Sequence, residues 1–126
     1  MHGYCAGAPG TGIMARRMMD AGRGGERAHM LAELARGSVQ GLPLNAFDHL
    51  CCGNAAIAEY YLTVADRDAV GRVLGALYGR RLREGGYRDA HADASGQVSA
   101  SLFNGICGIG YEMLRYARPR DVLSVL

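Results

Sequence analysis

The 126-residue chain has no tryptophan, only three prolines and two phenylalanines, no apolar run of transmembrane length and no large excess of charge of one sign. A helix needs about 20 consecutive apolar residues to cross a bilayer, and no stretch here supplies them. The first residues hold neither a basic stretch nor a continuous apolar one, so the expectation is a cytoplasmic chain with reduced thiols and no membrane partner. The formal charge of +2 comes from scattered arginines, such as Arg16-Arg17 and Arg80-Arg81, interleaved with Asp and Glu. These read as solvated helix faces; without a basic stripe interleaved with aromatics, no nucleic-acid partner is expected. Alternating runs of β-branched residues are also few, whereas helical spacing recurs, which predicts an all-α fold.

What the chain does have is glycine, 19 residues of it, and four cysteines, two of them adjacent in LCCGNAAIAEYYL. Neighbouring Cα atoms lie too close for relaxed disulfide geometry, so Cys51-Cys52 points instead to a soft metal held in one turn, zinc first among them. A third thiol, Cys5, sits in a segment of the same pattern, YCAGAPGTGIMARRMM, and LFNGICGIGYEMLRYA repeats the pattern near the end. Aligned on Gly7, Gly53 and Gly105, the segments are separated by 53 − 7 = 46 and 105 − 53 = 52 residues, room for a helix pair with its connections. Such a period predicts helical-hairpin repeats in a solenoid or a closed toroid.

YCAGAPGTGI, LCCGNAAIAE and LFNGICGIGYEMLRYARPRDVLSVL closely resemble the last three repeats of the LanC-like lanthipeptide cyclases, above all the cyclase end of class II lanthipeptide synthetases. The likeness spans nearly the whole chain and implies that residues 1–126 are the C-terminal part of an α/α toroid that begins upstream of Met1. In that family one Cys of a WCxG-type motif and the Cys-His pair of a CHG motif bind a catalytic zinc. Carried over, the implied metal ligands are Cys5, Cys51 and, in place of the usual His, Cys52, as in the CCG subgroup of class II synthetases. Tyr4 stands where Trp is more usual, Ala56 where a Gly is, and Ala6 where some members have Tyr.

The activity implied by the resemblance is lanthionine synthesis. A precursor-peptide cysteine is activated as a thiolate on zinc and adds, Michael fashion, to a dehydroalanine or dehydrobutyrine of the same peptide. Cys52 in place of a neutral imidazole adds one negative charge, which would leave the substrate thiolate less tightly held and more nucleophilic. The enolate also needs a general acid. The family's His and Asp have no match here and are expected upstream of Met1, together with a dehydratase domain, so the chain alone is not expected to turn over. A rival reading keeps the architecture but not the catalysis: a zinc-stabilised, peptide-binding module.

Inner helices are predicted at Ala8 to Ala21, Asn54 to Ala65 and Phe103 to Tyr116, and outer ones at Glu26 to Arg36, closed by Gly37, and Arg67 to Glu84, capped by Asp66 and ended by Gly85-Gly86. Ser38 to Leu50 and Tyr87 to Ser101 read as connections, and the DVLSVL tail as an apolar, packed terminus. Cys107 reads as a core residue. His49, two residues before Cys51, is either a further ligand or a solvated or hydrogen-bonded loop residue, and His2, His29 and His91 are surface residues. Met18-Met19 and Tyr60-Tyr61 read as core and rim of helix packing. Asn54 either caps its helix or orients a ligand sulfur.

Overall fold

The computed structural model describes residues 3–88 and 99–125, and within them it is all-helical. Two hairpins come first, α1 (Ala8–Asp20) with α2 (Gly25–Val39) and α3 (Asn54–Thr63) with α4 (Arg67–Glu84), followed by α5 (Ile106–Ala117). The middle helix, α3, touches α1, α4 and α5. Its sequence explains how one short helix packs against three neighbours. Asn54 to Tyr60 are all buried, and Ala55, Ala56 and Ala58 keep the helix narrow enough for close approach on several sides.

The core lies between these contacts. Ile13, Val39, Ile57 and Tyr60 pack where the first hairpin meets α3, and Leu50, Ala55, Leu77 and Ile109 where α3, α4 and α5 converge. Tyr60 is the buried core residue and Tyr61 the half-buried rim, edge to face at 5.4 Å; Met18 and Met19 are half-buried.

The helix starts follow the aligned glycines. Gly7, Gly53 and Gly105 are each the N-cap residue of α1, α3 and α5, all with extended backbone. Three residues further on, Gly10 and Gly108 face the carbonyls of Tyr4 and Leu102; a Cβ at either would lie 1.9 or 2.0 Å from that oxygen. Only a bare Cα fits there. Gly10→Ala should therefore push the Cys5 loop away and destabilise the chain by about 1–3 kcal/mol, the range for overpacking. An unchanged urea midpoint would contradict this placement.

At the other elements Asp66 caps α4, its Oδ1 accepting from the Ala69 N–H at 3.0 Å, and Gly85 ends α4 in the left-handed region at φ 80°. The predicted stop at Gly37 is corrected: α2 runs on to Val39. Burial of Val39 against Ile13, Ile57 and Tyr60 outweighs the roughly 1 kcal/mol that a mid-helix glycine costs. The start of α5 moves from Phe103 to Ile106, because the Phe103 carbonyl accepts from the Cys51 N–H and that of Ser99 from the Ile106 N–H. Much of the predicted 87–101 loop, with His2, His91 and Leu126, lies outside the described residues. The tail is held by polar contacts and not by apolar packing: Leu123 is 78% exposed, while its carbonyl accepts from the Tyr111 hydroxyl at 2.6 Å and the Ser124 hydroxyl donates to Glu59 at 2.5 Å.

Candidate metal centre

Cys5 lies two residues before the N-cap of α1, and Cys51 and Cys52 lie directly before that of α3. Backbone bonds lace these loops together. The Tyr4 N–H donates to the Cys51 carbonyl at 2.7 Å, and the Cys51 N–H donates to the Phe103 carbonyl at 2.8 Å, so the segment before α3 is pinned from both sides. Gly3 rests on the Cys52 Cα, where a Cβ would come within 2.6 Å.

This lacing brings together sulfurs from residues 46 apart in the chain. The Cys5 and Cys51 Sγ atoms are 2.6 Å apart and those of Cys51 and Cys52 3.4 Å, all three lying within 4.8 Å of one another. The three sequence-predicted ligands lie close enough together to hold one metal ion. Among the described residues no His, Asp or Glu joins them. Beside the cluster, a hollow of about 330 Å³ is lined by Tyr4, Cys5, Gly10, Thr11 and Met14.

Burial, and then hydrogen bonding with and proximity to Cys5 and Cys52, push the Cys51 thiol up to about 12. The N-terminal ends of α1 and α3 carry partial positive charge that favours thiolate, but helix termini contribute only about 0.3–1 kcal/mol. At neutral pH Cys51 therefore keeps its proton unless an ion replaces it.

His49 is buried at 3% exposure, its ring stacked on Phe47 at 6.0 Å between centroids. Its Nδ1 accepts from the Cys52 N–H at 3.3 Å and its carbonyl accepts from the Gly53 N–H at 3.0 Å, so it shapes the cysteine turn and is not one of the clustered donors. Asn54 neither caps α3 through its side chain nor reaches a sulfur. Its Oδ1 accepts from the Asn45 N–H at 2.6 Å and its Nδ2 donates to Asp48 Oδ1 at 2.8 Å. Cys107 is exposed, which corrects the core reading; α5 opens at Ile106, and its second position, Cys107, faces solvent. His29 is exposed as expected.

What holds the cysteine turn is not legible in the sequence. Asp48 is fully buried and accepts from Arg80 Nη1 at 2.9 Å, from Asn54 Nδ2 and, on Oδ2, from the Arg88 N–H at 3.0 Å. Asn45 Nδ2 adds a bond to the Cys52 carbonyl at 2.7 Å. The only sequence signal was an Asp-His pair between Phe47 and Leu50. A second buried cluster was also missed. Glu59 and Glu112, both fully buried, meet one guanidinium: Arg115 pairs with Glu59 and stands 3.5 Å from Glu112. Burial pushes the Glu112 carboxyl up to about 8 and lowers the guanidinium of Arg115. Acidic residues inside the apolar stretches NAAIAEYY and GIGYEML were the available signal.

Compared with protein-family models, with curated proteins and with solved structures, the chain matches none.

Proposed function

We propose that this chain is the zinc-binding part of a lanthipeptide cyclase domain of the class II, CCG type, three repeats of an α/α toroid working in the cytoplasm. The observation that carries the reading is the meeting of Cys5, Cys51 and Cys52 at the starts of two helices whose N-caps are the aligned glycines Gly7 and Gly53. Three protein ligands leave a zinc coordination position for substrate, the pattern of catalytic rather than structural sites. Zinc bound there would supply the positive charge that lets a substrate thiol lose its proton at neutral pH.

The chain's own residues position that chemistry. The hollow lined by Cys5 would give a peptide cysteine access to that edge of the cluster, with Tyr4 and Met14 as its apolar lining. Asp48, Asn54 and Arg80 hold the Cys51-Cys52 turn rigid. The partner is a precursor peptide carrying cysteine and dehydrated serine or threonine residues, and the general acid comes from other repeats of the domain. The second reading, a peptide-binding module without catalysis, is favoured by the absence of any His, Asp or Glu from the thiol cluster among the described residues.

Zinc analysis after dialysis should find about one ion per parent chain and none in Cys51→Ala, as three-ligand sites predict. The loaded parent should then bind a cysteine-bearing peptide but not its serine analogue. A folded parent without zinc would overturn the proposal. In a chain extended by the upstream repeats, Cys51→Ala should abolish thioether formation. Peptide binding with no ring closure in the extended parent would favour the module.

A further inference from the structure

The two closest sulfurs belong to different repeats, and nothing has to move far to join them. Cys5 Sγ lies 2.6 Å from Cys51 Sγ, and the Tyr4 to Cys51 backbone bond fixes the two segments side by side. Cys51 and Cys52 are a poorer pair despite their 3.4 Å separation, because Cα atoms of consecutive residues are about 3.8 Å apart, below the range of about 4.4–6.8 Å that relaxed disulfides occupy. Cys107 lies outside the cluster. Cys5 is exposed, so a small oxidant reaches it directly.

We infer that Cys5 and Cys51 form a reversible disulfide under hydroperoxide, and that this bond and a metal ion compete for the same two sulfurs. The steps balance. The Cys5 sulfur attacks hydrogen peroxide; an S–O bond forms, the O–O bond breaks and hydroxide leaves, which takes up the thiol proton to become water. The Cys51 sulfur then attacks the Cys5 sulfenic sulfur; the S–S bond forms, the S–O bond breaks, and a second water leaves with the Cys51 proton. Two thiols are oxidised by two electrons in total and one peroxide is reduced to two waters. A small-molecule dithiol reverses the change by thiol–disulfide exchange. A sulfur locked in a disulfide is no thiolate donor, so oxidation would disarm the site and bound metal would shield it. The shielding rests on the zinc reading above; the cross-link does not.

The test is intact-mass analysis and peptide mapping of the chelator-stripped chain after stoichiometric hydrogen peroxide, with free thiols alkylated. The expected product is a monomer lighter by two hydrogens, with Cys5 and Cys51 joined and Cys52 and Cys107 alkylated, restored by dithiothreitol. Cys52→Ser should retain the cross-link and Cys5→Ser should lose it. A Cys51–Cys52 bond, an intermolecular dimer or a sulfinic acid as the main product would overturn the inference. In the zinc-loaded chain, peroxide should release the ion to a colorimetric chelator, and cross-linking should be slower than in the stripped chain; equal rates with zinc demonstrably bound would overturn the competition. A chain that forms the cross-link but never binds zinc would refute the metal reading and leave the disulfide standing.

Discussion

Asp48→Ala should destabilise the chain by about 3–5 kcal/mol, the cost of removing one partner of a buried ion pair and leaving the other unpaired. The carboxylate is fully buried, and Arg80 is only 10% exposed, so water cannot replace what is lost. The loss spreads further than one pair. Asn54 Nδ2 and the Arg88 N–H lose an acceptor too, and an unsatisfied buried donor costs about 1–3 kcal/mol. Because Asp48 precedes Cys51 by three residues and ties Asn54 just beyond Cys52, affinity for the zinc proposed above should also fall, by about 10–100-fold, as when groups that hold metal ligands in place are removed. Urea unfolding and zinc competition with a chelator measure the two effects. The double variant Asp48→Leu, Arg80→Met separates them: it should recover much of the stability, since apolar replacements of a buried pair are often neutral, but not the affinity. A single variant with the parent's unfolding midpoint would show that the turn is held by something else.

Glu112→Gln should flatten a pH dependence that runs opposite to the usual one for carboxylates. The cluster contains two buried carboxyls and one guanidinium, so it is neutral when one carboxyl keeps its proton. Burial raises Glu112 to about 8 from an ordinary value of 4.5. A carboxyl raised in the folded state binds protons more tightly there than in the unfolded chain. Its contribution to stability is full below pH 4.5, shrinks as pH climbs, and is gone once pH passes about 8. At about 1.4 kcal/mol per unit the shift corresponds to less than about 5 kcal/mol, and attraction to Arg115 at 3.5 Å brings it down to a few. Glutamine keeps the shape without the titration. Parent and variant should match near pH 5, with the variant the more stable by about 1–3 kcal/mol at pH 8. The comparison of urea midpoints across that range isolates Glu112, because every other group titrates in both proteins. A variant less stable than its parent at pH 8 would mean that Glu112 is ionised and paired with Arg115.

The cluster also explains the chain end. The Ser124 hydroxyl reaches Glu59, and the Leu123 carbonyl takes the Tyr111 hydroxyl, so polar groups on α3 and α5 hold a segment in which Leu123 and Val125 are exposed. Composition alone suggested the reverse, because DVLSVL reads as apolar. Hydropathy reports what a side chain prefers, whereas the backbone and one hydroxyl decided where this segment rests.

Most helix positions and the thiol set were legible from local chemistry. Asp66 and Gly85 act through bonds and dihedrals within a few residues, so the bounds of α4 were readable at both ends. Gly7 and Gly53 marked the starts of α1 and α3 for the same reason, whereas α5, expected from Phe103, opens only at Ile106; the aligned pattern put Cys5 and Cys51 at equivalent places in the sequence. Which side chains are buried, and with whom, emerges from packing between distant segments. Asp48 meets Arg80 across 32 residues, and Ser124 meets Glu59 across 65; no local periodicity encodes such pairs. The same holds for the buried ring of His49, the exposed Cys107 and the extension of α2 past Gly37. For α2 and His49 a local preference worth about 1 kcal/mol was outweighed by burial and buried hydrogen bonds worth several, and those exist only once the helices have packed.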